Sequence, residues 1–349
     1  MFTIKDVAAL ANVSPSTVSR VLSNSPRISE ETKERVRRAL EELDYHPNVF
    51  ARGLVTNTAS SIGVFIPPGM REFFVNPFFS EMMSGVSEVA GRAGFDIVLS
   101  TSAQDEEDAV DRMIRGRRVD GLILLGSRDN DPVLEKVALY SFPAVLLGRP
   151  ARDGAISFVN NDNVQAAYEA TMHLILLGHE KIGFLGGAFN LIVTIDRLTG
   201  FRKALFESGI SSSPQMEISS VFLEQGGYQG MMHLLALPTR PTAVLASDDV
   251  LAFGAMRAAG ELGYQLPDDL AIIGFNDIRL AELANPPLTS VRVHMHELGA
   301  AATEMLVGQI HESTLGVQSK IVESELVIRK SCGFQRANQM PPSYQDRVD

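Results

Sequence analysis

A cluster of hydroxyl-bearing residues with one arginine lies close to the amino terminus of the chain. Residues 16–20 read Ser-Thr-Val-Ser-Arg, which places hydroxyl groups able to bond phosphate oxygens beside a guanidinium able to bond guanine O6 and N7. Val18, Val21 and Leu22 recur at helical spacing and predict an inward-facing stripe. The outward face then carries Ser16, Thr17, Ser19 and Arg20. Such a face is suited to the major groove of DNA.

A second set of polar residues follows apolar runs in the rest of the chain. They are Asn160, Asn161 and Asp162 after residues 157–159, Arg197 after Gly186 and Gly187, Asp248 and Asp249 after residues 243–247, and Asn276 and Asp277 after residues 270–275. The carboxyl ends of parallel strands are where α/β proteins bind ligands. Carboxylates, amides and a guanidinium suit a polyhydroxyl ligand, because each hydroxyl both donates and accepts. Phe78 and Phe79 would add an apolar platform for a sugar face.

The hydroxyl-rich helix is predicted to be the second of three short helices. Residues 4–11 are predicted to form the first, followed by a tight break. Ser14 followed by Pro15 is a strong helix start, since serine caps the first amides and proline is favoured at the first helical position. Ser29 is predicted to cap a third helix over residues 30–43. This arrangement is typical of a helix-turn-helix unit.

A short apolar run, residues 48–54, follows the third helix. It is predicted to be helical only when something stabilises it, because an isolated helix of this length is marginal in water. We therefore expect an all-α DNA-binding headpiece over residues 1–60, with a hinge helix at about residues 48–57.

From residue 61 onward, apolar runs of strand length alternate with amphipathic stretches of helix length. Strands are predicted at 62–66, 97–99, 121–125, 144–147, 182–185, 243–246 and 271–275. Helices are predicted at 79–92, 106–117, 132–140, 163–177, 195–208, 226–236 and 249–262. Strands buried on both faces and separated by helices indicate parallel sheets. Two sets of strands predict a two-lobed α/β body over residues 61–334, and the segment 335–349 is predicted to be a disordered tail.

The net charge of −11 is unevenly distributed along the chain. Residues 1–60 carry eight Lys/Arg and seven Asp/Glu, a net charge of +1, which leaves −12 for the remainder. Contact with DNA phosphates must then come from local geometry, including Arg20, Arg27 and Arg52, rather than from a basic cloud.

The cysteine content and hydropathy of the sequence indicate the cellular compartment of the protein. The single cysteine, Cys332, excludes an intramolecular disulfide framework and suits a reducing environment. No charged-then-apolar leader is recognisable, and no apolar run approaches the roughly eighteen residues of a membrane span. These features predict a cytoplasmic protein that does not interact with a membrane. Cys332 has no base partner recognisable from the sequence and is expected to be inert.

The ordered motifs of the first 57 residues resemble the headpiece of the lactose-repressor/galactose-repressor (LacI/GalR) family. The matching segments are Thr3-Ile4-Lys5-Asp6-Val7-Ala8, residues 13–22 and Tyr45-His46-Pro47-Asn48. The resemblance extends to about Phe334 and implies a two-lobed body like that of periplasmic sugar-binding proteins. The chain is then expected to cross between the lobes near residues 161–163, 288–292 and 319–322. Segments 14–17 and 25–29 look most similar to the maltose- or maltodextrin-type repressors of this family.

The resemblance also implies which residues contact DNA. The set is Thr3, Ser14, Pro15, Ser16, Thr17, Ser19, Arg20, Asn24, Asn48, Ala51 and Leu54. Within it, the positions of Pro15, Ser16 and Arg20 contact bases, and those of Thr17, Ser19 and Asn24 hold phosphates. Leu54 matches a leucine that wedges into the minor groove, although a simple linker residue is the alternative.

For the body, the resemblance implies a ligand site between the lobes. Its residues are Phe78, Phe79, Asn161, Arg197, Asp248 and Asn276. Arg197 matches the family's ligand-gripping arginine, and Asp248 matches the amide or acid that binds ligand. Asn276 stands where many members have aspartate. Gly148 stands where some sugar-binding members present an acid, so that contact is expected to be absent.

The residues alone leave alternatives open at several of these positions. Arg197 and Asp248 are alternatively members of surface ion pairs. Phe78 and Phe79 are alternatively half core and half pocket. The remaining carboxylates, Asp249 and Asp277, are candidates for helix N-caps.

The resemblance implies a homodimeric transcriptional repressor of a carbohydrate-utilisation operon. It would bind double-stranded operator DNA with an affinity controlled by a small sugar between the lobes. A corepressor, or a non-sugar effector such as a nucleobase, could use the same architecture. A transport-type sugar-binding protein would have no use for residues 1–57, and an enzyme would need a catalytic constellation that the sequence does not show. No cofactor is expected, and His294 and His296 lack the further ligands of a zinc site.

Overall fold

The structure is a computed structural model that describes residues 2–22, 25–45, 58–67, 74–101, 105–152, 154, 156–312 and 316–334. The chain separates into two compact units, Met1–Ala59 and Ser60–Asp349. The predicted hinge helix at 48–57 and the predicted tail at 335–349 lie outside the described residues.

The described part of the first unit contains three helices. They are α1 (Ile4–Leu10), α2 (Pro15–Leu22) and α3 (Glu30–Glu42). Both predicted serine caps are present, since Ser14 Oγ accepts from Thr17 N at 3.2 Å and Ser29 Oγ accepts from Thr32 N at 3.4 Å. One small core joins the helices: Val7, Ala8, Ala11, Val18, Val21, Val36 and Ala39. The predicted helix-turn-helix unit is confirmed.

The first lobe of the second unit is built on a parallel sheet. Its strands are β1 (Ser61–Phe65), β2 (Asp96–Ser100), β3 (Gly121–Leu125), β4 (Ala144–Leu147), β5 (Ser157–Asn161) and β11 (Ser319–Val322). Within the described residues, the spatial order is β11-β5-β4-β3-β1-β2, with parallel neighbours. Its helices are α4 (Pro77–Ala93), α5 (Glu106–Ile114), α6 (Pro132–Tyr140) and α12 (Met295–His311). Strands buried on both faces explain the continuous apolar runs of the sequence.

The second lobe repeats this architecture. Its strands are β6 (Ile182–Gly186), β7 (Glu217–Ser219), β8 (Ala243–Ala246), β9 (Ala271–Asn276), β10 (Thr289–Arg292) and β12 (Glu325–Val327). In the part of the chain that the structure describes, their order is β12-β10-β9-β8-β6-β7, and β12 alone is antiparallel to its neighbour. Its helices are α7 (Asn163–Leu176), α8 (Ile192–Glu207), α9 (Glu224–Ala236), α10 (Asp249–Glu261) and α11 (Arg279–Leu283). The two-lobed α/β body is confirmed.

The chain passes between the lobes at three places. It leaves the first sheet after β5, returns between β10 and α12, and leaves again between β11 and β12. These crossings lie within a few residues of the three predicted ones. They place the carboxyl ends of strands from both sheets around one cleft, where ligands of α/β proteins bind.

The sequence analysis missed some elements and misplaced others. It assigned no helix to α12, which begins after His294, a residue in the left-handed region (φ 50°) without a side-chain cap. The strands β7 and β12 are only three residues long, too short for a periodic signal. Helix α8 begins at Ile192 rather than at 195, so Arg197 lies in its second turn and not at its start.

Candidate functional site

A cavity between the two lobes brings together all six residues predicted to contact a ligand. These are Phe78, Phe79, Asn161, Arg197, Asp248 and Asn276. The cavity has a volume of about 150 Å³. Much of the remaining wall is aliphatic or aromatic, including Met82, Leu125, Leu147, Val159, Ile192, Phe222 and Leu298. An apolar pocket with a few convergent polar groups is the usual form of a small-molecule site.

Arg197 is fixed inside the second lobe and is only 5% exposed. Its Nε donates to Asn163 Oδ1 at 2.9 Å, its Nη1 donates to the Ser247 carbonyl at 2.5 Å, and the guanidinium lies 3.7 Å from the centre of the Phe275 ring. Burial lowers the pKa of Arg197 to about 10, an effect that the nearby carboxylates, chiefly Asp248, partly oppose. The group therefore stays charged at neutral pH. None of the described residues accepts a hydrogen bond from Nη2. Because Arg197 is buried and its acceptors are an amide oxygen and a backbone carbonyl, the surface ion pair considered for it is wrong.

Asp248 lies at the junction of the two lobes and is also buried. Its Oδ1 caps α10 by accepting from Val250 N at 2.7 Å. Its Oδ2 accepts from Asn76 Nδ2 of the first lobe at 2.9 Å and from Asn276 Nδ2 of the second lobe at 2.8 Å. Burial raises the pKa of Asp248, and the hydrogen bond from Asn76 is the largest opposing effect. The surface ion pair considered for this residue is likewise wrong.

Asn276 ends β9 and presents one unused polar atom. Its Nδ2 is bonded to Asp248, whereas its buried Oδ1 has no partner among the described residues. A buried acceptor without a partner is costly. Because Asn276 lines the cavity, a ligand hydroxyl is a natural donor for it.

Asn161 lies on the cavity wall, but its amide nitrogen is already used. Nδ2 donates to the carbonyls of Val293 and Val322, at 3.2 and 2.9 Å. These two carbonyls belong to the other crossing segments, so Asn161 ties the three crossings together. Only its Oδ1 is left for a ligand contact.

Phe78 and Phe79 form the start of α4 and stand edge to face, with ring centres 5.1 Å apart. Both are half-buried, pack against the main hydrophobic core and line the cavity. They are therefore both core and pocket. Asn76 caps their helix by accepting from Phe78 N at 3.0 Å.

An ion pair across the cleft was missed by the sequence analysis. Arg149, which follows β4 in the first lobe, bonds both oxygens of Asp196 on α8 of the second lobe, at 2.8 and 2.5 Å. Both residues line the cavity, next to Gly148. The two partners are 47 positions apart in the chain, so no local pattern could pair them.

Backbone contacts also join the lobes. Ile192 N donates to the Ser127 carbonyl at 3.0 Å, and Asp129 N donates to the Asn190 carbonyl at 3.2 Å. Arg128 and Leu191 form an isolated antiparallel bridge between the same segments. Together with the Arg149–Asp196 and Asn76–Asp248 contacts, they show that the lobes are closed around the cavity.

The N-cap expectations for two carboxylates are wrong. The residue that caps α10 is Asp248, whereas Asp249 accepts from Ser290 Oγ at 2.6 Å and from Ile278 N at 2.8 Å. Burial raises the pKa of Asp249 well above its ordinary value. A Cβ at Gly274 would lie 2.1 Å from its Oδ1, so this strand position requires glycine. Asp249 therefore has a structural role where the start of α10 meets β9 and β10.

Asp277 precedes α11 without capping it. Its side chain pairs with Arg292 at 2.8 Å and with Arg329 at 2.6 Å, and its backbone is in the left-handed region (φ 54°). Asp277 thus joins the end of β9 to the end of β10, through Arg292, and to the carboxyl-terminal segment, through Arg329.

The buried thiol of Cys332 does have an imidazole neighbour. His173 Nε2 lies 3.4 Å from its Sγ, and Thr289 Oγ1 lies 3.2 Å from the same atom. Burial raises the pKa of Cys332 and lowers that of His173 to about 4. Both shifts favour the neutral pair, so an activated thiolate is not expected here. His296, one of the two histidines considered for zinc, lies 3.0 Å from Glu88.

In the first unit, the predicted DNA-contacting residues that the structure describes lie in and before α2. Pro15, Ser16 and Arg20 are exposed, and Thr17 and Ser19 are half-buried. Several members of the predicted set have local partners. Ser14 Oγ caps α2 and lies 2.8 Å from Ser16 Oγ, and Thr3 Oγ1 donates to Asp6 Oδ2 at 2.7 Å. Four others lie outside the described residues: Asn24, Asn48, Ala51 and Leu54.

Two family models match this chain. Residues 3–48 match the model for bacterial regulatory proteins of the lacI family, and residues 171–332 match a periplasmic binding protein-like domain. The transcriptional regulator MalR of Streptococcus pneumoniae is 37% identical over 317 residues, covering 89% of this chain and 93% of that protein. The chain belongs to the lacI family of bacterial regulatory proteins. It is accordingly a DNA-binding transcriptional regulator.

Solved structures of two transcriptional regulators have the same fold. A complex of the transcriptional regulator CelR with cellobiose is 30% identical, with a TM-score of 0.74 over 95% of this chain and 100% of that one. The lac repressor dimer bound to operator and the anti-inducer ONPF is 28% identical, with a TM-score of 0.83 over 95% of this chain and 99% of that one. No helix formed by the described residues has the length and apolar character needed to cross a lipid bilayer.

Proposed function

We propose that this lacI-family regulator is a repressor of a carbohydrate-utilisation operon, and that a small neutral sugar bound between the lobes controls its affinity for operator DNA. The observation that carries this proposal is a pair of unused polar groups on the cavity wall. Arg197 Nη2 is a donor without a protein partner among the described residues, and Asn276 Oδ1 is an acceptor without one. A sugar hydroxyl both donates and accepts, so it matches this pair.

The balance of charge in the cavity favours a neutral ligand. Arg149 is paired with Asp196, and the charge of Arg197 lies close to that of Asp248. An anionic ligand would therefore add a charge without a free counterion, which is costly in a buried site. Phe78 and Phe79 supply the apolar surface on which the hydrocarbon face of a sugar ring can pack.

A solved relative supports the ligand class. The CelR structure is a complex with cellobiose, and the match covers 95% of this chain. The resemblance of segments 14–17 and 25–29 to maltose-type repressors makes maltose and maltodextrins the first sugars to test.

The DNA-binding end is proposed to act as the family resemblance implies. Pro15, Ser16 and Arg20 would contact bases, and Thr17, Ser19 and Asn24 would contact phosphates, with Thr3, Ser14, Asn48, Ala51 and Leu54 completing the set. Two headpieces in a symmetric homodimer would bind a palindromic operator. The lac repressor dimer on its operator, which matches 95% of this chain, supports this assembly.

Lobe closure is the proposed link between ligand and DNA. A ligand that contacts both lobes binds the closed arrangement more tightly than an open one, and only this difference can shift the equilibrium. The shift would reach the headpiece through the connector at 48–57.

A gel-shift experiment tests this function directly. The purified dimer is incubated with DNA from upstream of the neighbouring operon, with and without maltose, maltotriose, cellobiose or adenine. Binding that falls with salt concentration and is weakened by a sugar supports the proposal. Stronger binding with ligand would identify a corepressor, and a response to adenine alone would identify the nucleobase alternative. Loss of all DNA binding would contradict the DNA-binding role itself.

Thermal-shift measurements with the same compounds test whether each of them binds to the protein. The Arg197→Met variant is expected to bind DNA but to lose its response to the sugar. Sedimentation at the working concentration tests the dimer, since a monomer could not bind two half-sites tightly.

A further inference from the structure

The carboxylate of Asp248 has no acceptor position left for a ligand. Oδ1 accepts from the backbone amides of Val250 and Leu251, at 2.7 and 3.4 Å. Oδ2 accepts from the side-chain amides of Asn76 and Asn276, at 2.9 and 2.8 Å. A carboxylate offers about four lone-pair positions, and each of them is already used. The residue lines the cavity and is only 3% exposed.

This arrangement determines which end of the Asn276 amide is free. A charged carboxylate can only accept hydrogen bonds, so Asn276 must turn its Nδ2 toward Asp248. Its Oδ1 is then the atom left without a protein partner. With an amide at position 248 whose oxygen still caps α10, Asn276 would have to turn its oxygen inward instead.

The other amide donor ties the first lobe to the same carboxylate. Asn76 Oδ1 accepts from Phe78 N at 3.0 Å and caps α4, while Nδ2 of the same side chain donates to Asp248. Rotating this amide by 180° would break both bonds. The start of α4, which carries Phe78 and Phe79, is therefore held against the second lobe.

We propose that Asp248 is a positioning residue rather than a ligand contact. It holds the amide oxygen of Asn276 toward the ligand and, through Asn76, it holds the lobes closed around it. The inference rests on the proposed function for the identity of the ligand, whereas the tie between the lobes does not depend on it.

Isosteric variants separate these two roles. Asp248→Asn keeps the cap of α10 but places a donor opposite the donors of Asn76 and Asn276. Asn276 can then pair only by turning its oxygen inward, which presents a donor to the ligand. Adding Asn276→Asp restores a carboxylate for the new amide and an oxygen for the ligand. Asn76→Asp keeps the cap of α4, because aspartate is a good N-cap, and replaces the donor to Asp248 with a second carboxylate, so the tie between the lobes becomes a repulsion.

Titration calorimetry with maltose, maltotriose and cellobiose measures the consequence. Asp248→Asn and Asn76→Asp should each weaken binding of the sugar that wild type binds best by about tenfold or more, the loss expected when a buried hydrogen bond is replaced by two donors or two acceptors that face each other. The double variant Asp248→Asn/Asn276→Asp should bind at least about threefold more tightly than Asp248→Asn, because only the tie to Asn76 is still missing. The proposal would be overturned if Asp248→Asn bound the sugar within about twofold of wild type. It would also be overturned if the double variant bound the sugar no more tightly than Asp248→Asn.

A ligand-free measurement separates this proposal from the proposed function. Hydrogen exchange of residues 77–82 in the full chain should be faster in Asp248→Asn and Asn76→Asp than in wild type, because the start of α4 has lost its anchor. Glu217→Gln is the matched control. It also removes a buried carboxylate, one that pairs with Arg202, but it lies on β7 away from the cavity.

The outcomes are distinct. If wild type binds no sugar, the proposed function fails, and exchange alone decides whether Asp248 ties the lobes. If exchange in the two variants equals that in Glu217→Gln, the tie is absent and the positioning role is wrong.

Discussion

The headpiece and the cleft use polar side chains in opposite ways. In the headpiece, the hydroxyls of Ser14, Ser16 and Thr17 are exposed or half-buried and bond one another within one turn of α2. In the cleft, Asp248 and Arg197 are buried, and their partners come from distant parts of the chain. A solvated group can exchange its partner for a phosphate at little cost, whereas a buried group must have its partner in place. The headpiece is thus adaptable, and the cleft is preorganised.

The largest expected effect follows from removing the buried guanidinium. Arg197→Met leaves the Ser247 carbonyl and Asn163 Oδ1 without their donor, so stability should fall by about 3 kcal/mol and sugar affinity by about 100-fold. Urea unfolding and calorimetry measure the two effects. The control is Arg257→Met, which removes a half-exposed ion pair with Glu224 and should cost less than about 1 kcal/mol. Unchanged sugar binding in Arg197→Met would remove the basis of the proposed site.

Acid should destabilise the body through a buried imidazole. Burial, with a smaller effect of His179, lowers the pKa of His173 to about 4, while an unfolded histidine titrates near about 6.5. Between these values the unfolded chain binds a proton that the folded chain does not, so stability is lost as the pH falls from 6.5 toward 4. The loss at pH 5 should be about 2 kcal/mol.

Urea unfolding at pH 7 and pH 5 measures this loss, with His173→Gln as the control. The variant should lack this component of the pH dependence, because glutamine does not titrate. A pH dependence equal to that of wild type would show that the imidazole is protonated in the folded body.

The sequence predicted the headpiece more completely than the cleft. The serine caps, Pro15 and the stripe of Val18 and Val21 are signals within a few residues, so the three described helices of the headpiece were predicted almost to the residue. Most strands of the body were found for the same reason, whereas β7, β10, β11 and β12, of three or four residues each, were not. Helix α12 was missed because the residue before it, His294, is not a capping residue and adopts a left-handed backbone.

The cleft could be predicted only in part. Strand ends identified Asp248, Asn276 and Asn161 as neighbours, and all three line the cavity. The role of Asp248 could not be predicted from its position, because one of the four donors that fill its acceptor positions belongs to Asn76, which is 172 residues distant. The Arg149–Asp196 pair gave no local signal at all. Contacts across a cleft are set by the fold, and a one-dimensional pattern does not contain them.

A smaller effect is expected from two headpiece arginines that are both exposed. Arg20→Ala should weaken operator binding by about 10- to 100-fold and relax the preference for one base pair, because the resemblance places this residue on a base edge. Arg27→Ala should weaken binding to all sequences alike and lower the salt slope by about one.

Fluorescence anisotropy with the operator and single-base variants at two salt concentrations separates these two patterns. Neither change should alter sugar affinity. If Arg20→Ala weakens all sequences equally, Arg20 contacts phosphate instead of base.

The smallest expected effect comes from removing one helix N-cap in each of the two regions. Ser29 Oγ accepts from Thr32 N in the headpiece, and Asp105 Oδ1 accepts from Asp108 N in the first lobe. Ser29→Ala and Asp105→Ala should each cost about 1 kcal/mol locally. Among its described residues the headpiece has a core of seven buried apolar side chains, so this loss is a large fraction of its stability. Hydrogen exchange should therefore speed up throughout α1–α3 in Ser29→Ala but only within α5 in Asp105→Ala. Exchange confined to the start of α3 in Ser29→Ala would show instead that the small core holds the headpiece together without this cap.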